Sequence, residues 1–292
     1  MLGKTLHRLR VLAACLGLRD GWRVAYHHWW RRDLHKHHPL LFQELVVLLH
    51  LADQGAHIHR QGGYCLINTQ LNGQAFSIRL RKHTSDFFIF AQIWIRQDYA
   101  AFIRQVCQTQ SPAPQYIIDA GANIGLAALY FTAHFPQAHI IALEPESANF
   151  AQLQWHCRHN PSVHIQALQA ALWHQDTHLY LDQSFRDGSH SAFAVTTVPT
   201  TALTPTQAFS PKTLWAQHQW PRIDIFKIDI EGAEKELIKA SDDFSDCLAH
   251  TQWLAIEVHE ERISLAEVRA YLEARQFQIA HSGEYLIAQK NT

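Results

Sequence analysis

The run Tyr116-Ile117-Ile118-Asp119-Ala120-Gly121-Ala122-Asn123-Ile124-Gly125 constrains this chain more than any other stretch. A short β-rich run ends in small residues where the backbone must turn sharply, and Leu126 to Phe135 continues as an apolar helix. A second apolar run, Ile140-Ile141-Ala142-Leu143, then ends in Glu144-Pro145. Gly121 and Gly125 are expected to bring bare main chain against a ligand, with the helix N-terminus pointing free N–H groups into the same space. Glu144 stands a little beyond the glycine turn's next helix, where βαβ nucleotide sites place the acid that grips ribose hydroxyls.

The pattern departs from the dinucleotide fingerprint Gly-x-Gly-x-x-Gly. Gly121 and Gly125 stand four apart with Asn123 between them, so the central glycine that admits a pyrophosphate is missing. Asp119 at the strand end suits a ligand carrying positive charge better than one carrying two phosphates. S-adenosylmethionine, with its ammonium and sulfonium, fits that requirement.

A chain of 292 residues that is 47% hydrophobic and 17% charged can bury a full core, and it is expected to hold one α/β domain with a smaller appendage. The formal net charge of -1 gives no general attraction for nucleic acid or an anionic membrane, so any charge-based partner must be local. Five cysteines, Cys15, Cys65, Cys107, Cys157 and Cys247, are scattered singly with no Cys-x-x-Cys pair, which suits a reducing, cytoplasmic setting. Leu12-Ala13-Ala14-Cys15 resembles a lipoprotein cleavage box, but the apolar stretch before it is too short, and a short amphipathic helix is expected instead. No stretch approaches the apolar length of a membrane span. Histidine is abundant, with a cluster at His27, His28, His35, His37 and His38 beside Trp29 and Trp30. The spacings match no familiar metal-ligand set, and the tract is read as a solvated helix face.

Residues 1 to about 60 read as helical, with Leu40 to Leu51 the clearest apolar run and Gly55 a stop. A hairpin follows, Tyr64 to Leu71 and Gln74 to Leu80 flanking Asn72-Gly73. Thr84-Ser85-Asp86 is expected to cap a helix running through Phe90 and Trp94 towards Tyr99 and Val106. Ser111-Pro112-Ala113-Pro114 then marks the boundary between an N-terminal helical and hairpin extension, 1–110, and a core domain, 111–292. In the core, strands are expected at 116–120, 139–143, 163–167, 223–228 and 253–258, and helices at 124–135, 147–159 and 232–240. Ser264 and Glu267 form a capping box for a last helix, and Phe277–Ala280 with Tyr285–Ala288 make a closing antiparallel pair. The stretch from His174 to Pro221 breaks the alternation and reads as an inserted β-hairpin with loops overhanging the substrate side. The fold class is α/β, a doubly wound, Rossmann-like seven-stranded sheet with a smaller α+β extension.

Two further clusters carry chemistry. Asp224-Ile-Phe-Lys227-Ile-Asp229-Ile-Glu231-Gly-Ala-Glu234 reads as a strand to Ile230 followed by a helix, so Asp229 and Glu231 would emerge beside the glycine turn at the carboxyl ends of the strands. Acids at a helix N-terminus also complement its dipole, which accounts for Glu231 or Glu234 more easily than for Asp229. Glu257-Val258-His259 ends the next strand, placing a histidine able to exchange protons near neutral pH at the rim of the same cleft.

Asp119-Ala-Gly-Ala-Asn-Ile-Gly125, Glu144-Pro145, Asn149 with Leu153, Lys227-Ile-Asp-Ile-Glu-Gly-Ala-Glu234 and Glu257-Val-His259 together resemble the FkbM family of S-adenosylmethionine-dependent methyltransferases. The likeness covers roughly residues 114 to 290, and Thr84-Ser-Asp86 with Tyr99 resembles the segment that precedes the core in many members. It implies a class I methyltransferase fold and O-methylation of a saccharide, glycolipid, polyketide or similar small-molecule acceptor. Members commonly carry a Leu-Asp pair after the threonine-rich strand, whereas here Leu203 is followed by Thr204, so the acceptor pocket is expected to differ.

On this reading Asp119, Gly121, Asn123, Gly125, Glu144 and Pro145 form the cofactor site, with Glu144 on the ribose. Asp229, Glu231 and His259 are candidates for the acceptor's base, and Lys227 orients a carboxylate or stabilises developing charge. No metal ligand is assigned, although carboxylates at 229 and 231 leave a divalent cation as an alternative. An NAD-dependent oxidoreductase and a non-catalytic cofactor-binding protein of the same fold are the rival readings. The acceptor's identity and the oligomeric state are not legible.

Overall fold

The computed structural model describes residues 2–109, 112–182, 194–196, 205–240 and 242–291, and the chain divides into two compact units, Met1–Gln97 and Asp98–Thr292. The first unit begins with α1 (Leu2–Arg23), in which Gly17 takes a non-helical φ of 70° and kinks the helix, and runs on through a π-helical segment, Val24–Trp30. Two helices, α2 (Leu34–His37) and α3 (Pro39–Asp53), precede β1 (His57–Gln61), β2 (Tyr64–Leu71) and β3 (Gln74–Arg81). The expected hairpin is therefore the right-hand part of a three-stranded antiparallel sheet, order β1-β2-β3. In β1 only Ile58 among five residues is apolar, so no alternation announces it.

The expected cap at Thr84-Ser85-Asp86 takes another form. The helix α4 (Asp86–Phe90) has Ser85 at its N-cap without a side-chain bond, and the Thr84 hydroxyl instead accepts from the Asp86 N–H at 3.2 Å. The fully buried Asp86 carboxylate turns back to the Arg81 N–H at 2.8 Å and the Arg81 guanidinium at 2.7 Å. Nor does one helix reach Val106: a π-helical segment, Ala91–Ile95, follows α4, and Gln97 then turns the chain at a φ of 57°.

The second unit starts with α5 (Ala100–Thr109), whose Phe102 packs edge-on against Phe131 and Trp253 of the core domain. Its sheet is built from β4 (Tyr116–Ala120), α6 (Leu126–His134), β5 (His139–Leu143), α7 (Ser147–His159) and β6 (His164–Leu168). Next come β7 (Ala171–Leu172), β8 (Thr177–Asp182), β9 (Ala194–Thr196), β10 (Pro205–Phe209) and α8 (Pro211–Gln217). The chain closes with β11 (Ile223–Ile228), α9 (Glu234–Ala240), α10 (Asp242–Ala249), β12 (Thr251–Glu257), α11 (Leu265–Glu273), β13 (Phe277–Ser282) and β14 (Tyr285–Lys290).

The seven-stranded sheet has the order β13-β14-β12-β11-β4-β5-β6, parallel except for β14, which runs antiparallel to both neighbours. The doubly wound α/β sheet with a closing antiparallel pair is thus the fold this sequence adopts. Every residue of β11 is buried, as a central strand covered on both faces requires. Ile118, Ile141, Phe226, Ile228, Leu254 and Ile256 form the centre of the core on one side of the sheet. Because successive strands run outward from β4 through β5 to β6 and the chain then returns to β11 on the other side of β4, the strand order reverses between β4 and β11. Ligands in open α/β sheets bind at the carboxyl ends of the strands at such a reversal.

The expected inserted hairpin is more than a hairpin. Among the described residues, β7-β10-β8-β9 form a second, four-stranded sheet, and α8 starts at Ser210, whose hydroxyl accepts from the Thr213 N–H at 3.1 Å. Within the expected insertion from His174 to Pro221, residues 183–193 and 197–204, the Leu203-Thr204 position among them, lie outside the described residues. The capping box at Ser264 and Glu267 is present in full.

Candidate active site

The turn after β4 is closed by its own hydrogen bonds. The Gly121 and Ala122 N–H groups both donate to the Leu143 carbonyl at 3.1 and 2.8 Å. Asn123 N–H donates to Glu144 Oε2 at 2.8 Å, Ile124 N–H to the Asn123 side-chain oxygen at 2.7 Å, and Gly125 N–H to the Ala122 carbonyl at 2.8 Å. The five N–H groups of the turn itself are thus all engaged within the protein.

Both glycines allow close packing against neighbouring elements. Gly121 has a φ of 75°, and a Cβ there would lie 1.7 Å from the Asp229 carbonyl oxygen, so the tip of β11 occupies the space the missing side chain leaves. Gly125, at a φ of 87°, leaves room for Leu153 of α7, whose Cδ1 would stand 2.5 Å from an added Cβ. Beneath the turn, the fully buried His156 places Nδ1 2.6 Å from the Ile124 carbonyl.

A cleft opens over the carboxyl ends of β4, β5 and β11, lined by Gly121, Asn123, Glu144, Pro145, Asp229 and Glu231. Ala170, Ala171, Leu172, Ile230 and Ala233 supply its apolar wall and Asn149 an amide. Six of the ten sequence-selected residues therefore converge on one hollow. Glu144, only 5% exposed, accepts from Asn123 N–H and, through Oε1, from Glu146 N–H at 2.9 Å. Burial pushes its carboxyl up to about 7, more than those two backbone donors hold it down.

Asp119, Lys227, Gly125 and His259 lie behind the cleft wall. Asp119 is fully buried, with Oδ1 3.1 Å from Lys227 Nζ. Lys227 donates to the Gly121 carbonyl at 2.7 Å and lies 3.6 Å from Asp229 Oδ2. Burial disfavours its ammonium, but Asp119 and Asp229 more than offset this and hold its pKa above the ordinary lysine range. This lysine pins the glycine turn to β11 from below.

The tip of β11 bends into an uncommon conformation. Glu231 takes a φ of 55°, sparsely populated for a residue with a Cβ, and Gly232 follows at 97°. The Glu234 side chain holds the bend, its Oε1 accepting from Ile230 N–H at 3.1 Å and lying 3.1 Å from His259 Nδ1. On the other ring edge, His259 Nε2 lies 3.3 Å from Glu231 Oε2 and 3.8 Å from Glu257 Oε1. Burial disfavours the imidazolium, yet Glu231 and Glu234 together outweigh it and push His259 up to about 10. Burial and the Asp229 charge push Glu257 up to about 8. Donor atoms of Asp229, Glu231 and His259 all lie within 4.8 Å of one another, a set of hard oxygen and imidazole ligands.

The residues that sequence reasoning did not assign to the site are Ala170 to Leu172, Ile230, Ala233 and Glu234 as the holder of His259. Only the position of Ala170-Ala171-Leu172 just after a strand end marked that segment in advance. A second candidate cluster, His27, Asp33 and His37 in the first unit, is held by ion pairs of Asp33 to His27 at 2.8 Å and to Arg31 at 3.2 Å.

Residues 119–279, more than half the chain, match the Methyltransferase FkbM domain family. The chain is 25% identical over 222 residues to "Methyltransferase 1" of Beauveria bassiana (strain ARSEF 2860), a span that takes in 68% of this chain and 88% of that protein. It is 40% identical over 62 residues to "Methyltransferase sdnD" of Sordaria araneosa, covering 21% of this chain and 24% of that one. Among solved structures, the Methyltransferase FkbM from Methylobacillus flagellatus KT aligns over 60% of this chain and 43% of its own, with 16% identity and a TM-score of 0.43.

Proposed function

The chain belongs to the FkbM methyltransferase family and is a methyltransferase, and from that premise we propose that it transfers the methyl group of S-adenosylmethionine to a hydroxyl of a saccharide, glycolipid or related secondary-metabolite acceptor. One observation carries the cofactor assignment: every N–H from Gly121 to Gly125 is already hydrogen-bonded inside the protein. A dinucleotide pyrophosphate relies on free N–H groups at such a turn. An oxidoreductase reading lacks them here, whereas a cationic ligand does not need them.

S-adenosylmethionine supplies an electrophilic methyl on a sulfonium. Glu144, with a carboxylate oxygen on each of two backbone donors, retains lone pairs on the cleft side for ribose O–H groups. Ala170 and Leu172 give an apolar wall for the base, and Asn149 an amide at its edge. Asp229 and Glu231 line the hollow with negative charge suited to a sulfonium and an ammonium. Asp119 and Lys227 act from below by fixing the turn rather than by touching the ligand.

Methyl transfer to an alcohol requires in-line approach and removal of the O–H proton. Asp229 takes that proton, because its carboxylate lines the cleft. His259 is 2% exposed and held as a cation between Glu231 and Glu234, so it positions those carboxylates and is not the base. A second reading draws on the Asp229, Glu231 and His259 donor set: these residues would hold a divalent cation against the acceptor oxygens. Chelator-sensitive turnover restored by Mg²⁺ or Mn²⁺ would select that version.

The test is to supply methyl-labelled S-adenosylmethionine with a panel of saccharides and lipid-linked saccharides. Label in an ether linkage is expected, and at saturating cofactor Asp229→Asn should lower turnover by about 100-fold to 10,000-fold. Turnover retained in Asp229→Asn would remove the base assignment. Cofactor bound but no acceptor methylated across the panel would point to another acceptor class.

A further inference from the structure

The first unit carries a surface that the cleft does not explain. Residues 1–38 contain eight Lys or Arg against two Asp, whereas the other 254 residues contain 17 basic against 24 acidic. A chain of near-zero net charge thus concentrates its positive charge in one short tract. After the kink at Gly17, the segment from Leu18 to Tyr26 has two unlike faces. Asp20 and Val24, four apart, point inward at 6% and 1% exposure. Leu18, Trp22 and Tyr26, also four apart and offset by two, point outward at 89%, 76% and 50%.

These are the three most exposed large apolar side chains among the described residues. The orientation is fixed from inside, where the buried Lys82 ammonium donates to Asp20 Oδ2 at 2.9 Å and to the Leu16 carbonyl at 3.2 Å. The outward stripe therefore cannot roll into the core without breaking a buried ion pair. Arg19 within the segment and Arg32 and Lys36 shortly after it in sequence are exposed, and Asp33, the acid nearest the latter two in sequence, is already paired with His27 and Arg31.

We propose that this Leu18–Trp22–Tyr26 stripe docks the protein onto an anionic lipid surface. A leucine and two amphipathic aromatics on one face, in a tract rich in basic residues, match a segment that lies in the membrane interface with its apolar side in the headgroup boundary. A phosphate-backbone partner would account for the charge, but not for an exposed leucine and tryptophan. No helix among the described residues is long and apolar enough to cross a membrane, so the contact lies along the surface.

The experiment is co-sedimentation of the full chain with vesicles of phosphatidylcholine alone or with 30% phosphatidylglycerol, at low and high salt. Binding at least tenfold tighter to the anionic vesicles and weakened by salt is expected. Leu18→Ser with Trp22→Ser should lower it about tenfold or more while the melting temperature holds, since both side chains are exposed. The Arg19→Gln, Arg32→Gln and Lys36→Gln triple variant should lower it by about fivefold per residue. The proposal fails if anionic and neutral vesicles bind alike or not at all. It also fails if RNA binds instead, unaffected by the Leu18 and Trp22 changes, or if those changes only dissociate a dimer of this chain.

Discussion

Replacing Gly121 by alanine puts the geometry of the β4 and β11 tips under direct test. At a φ of 75° an L-residue costs roughly 1–2 kcal/mol relative to glycine. The new Cβ would sit 1.7 Å from the Asp229 carbonyl oxygen and 2.8 Å from its carbon. That carbonyl belongs to a strand end held by Asp229 N–H to the Ala120 carbonyl at 3.1 Å, so it must move by more than an ångström and take the bond with it. Overpacking of this kind adds about 1–3 kcal/mol. The sum, about 2–5 kcal/mol, corresponds to a melting temperature lower by roughly 4–20 °C for a unit of this size. Because the shift opens the cleft wall at Asp229, cofactor affinity should fall as well. Differential scanning calorimetry with and without S-adenosylmethionine reads both effects. A Gly121→Ala protein that melts within a degree or two of the parent and gains as much from the cofactor would refute the reasoning.

Two pH dependences follow from the buried carboxylate and imidazole. Glu144 is raised from its ordinary value near 4.5 to about 7, so its contribution to folding is fully present below about 4.5 and lost as pH rises through about 7. Cofactor binding that needs the carboxylate has the opposite slope: affinity should fall up to tenfold per unit as pH drops below about 7, and a flat profile by calorimetry would contradict the role. His259 is raised from 6.5 to about 10, so its ion pairs stabilise fully below about 6.5 and fade as pH rises through about 10. His259→Gln should therefore cost about 3 kcal/mol in urea unfolding at pH 6 and markedly less above pH 10. Equal losses at both would show that the ring is not held as a cation.

The core was legible because its signals are local and repetitive. Tyr116 to Ala120, His139 to Leu143 and Ile223 to Ile228 are short, mostly apolar runs bounded by turn residues, and the strands form there. The Ser264 capping box and the Ser282-Gly283-Glu284 turn were equally local. What is not legible depends on partners far along the chain. Asp86 has cap chemistry by sequence, but the Arg81 guanidinium claims its carboxylate. Gly121 and Gly125 are recognisable as turn glycines, but the filling of the space beside them by the tip of β11 and Leu153 is not. Asp119 ends a strand, which its sequence position shows, but its ion-pair partner Lys227 lies on β11, separated from β4 along the chain by β5 and β6 of the same sheet and adjacent only because β11 pairs with β4. His259 reads as a free base in sequence, and only folding brings Glu231 and Glu234 to its two ring nitrogens. By contrast the place of Glu144 and Asp229 at strand ends is legible from the strand pattern, and both line the cleft.

Isothermal titration of S-adenosylmethionine into the parent chain and into Glu144→Ala at pH 8 tests the central claim most directly. Saturable one-site binding by the parent, weakened about 10-fold to 100-fold in the variant by loss of charge-assisted hydrogen bonds to the ribose, is the expected result. No binding by the parent, or equal affinity in the two proteins, would contradict the placement of the cofactor in the cleft between β4, β5 and β11.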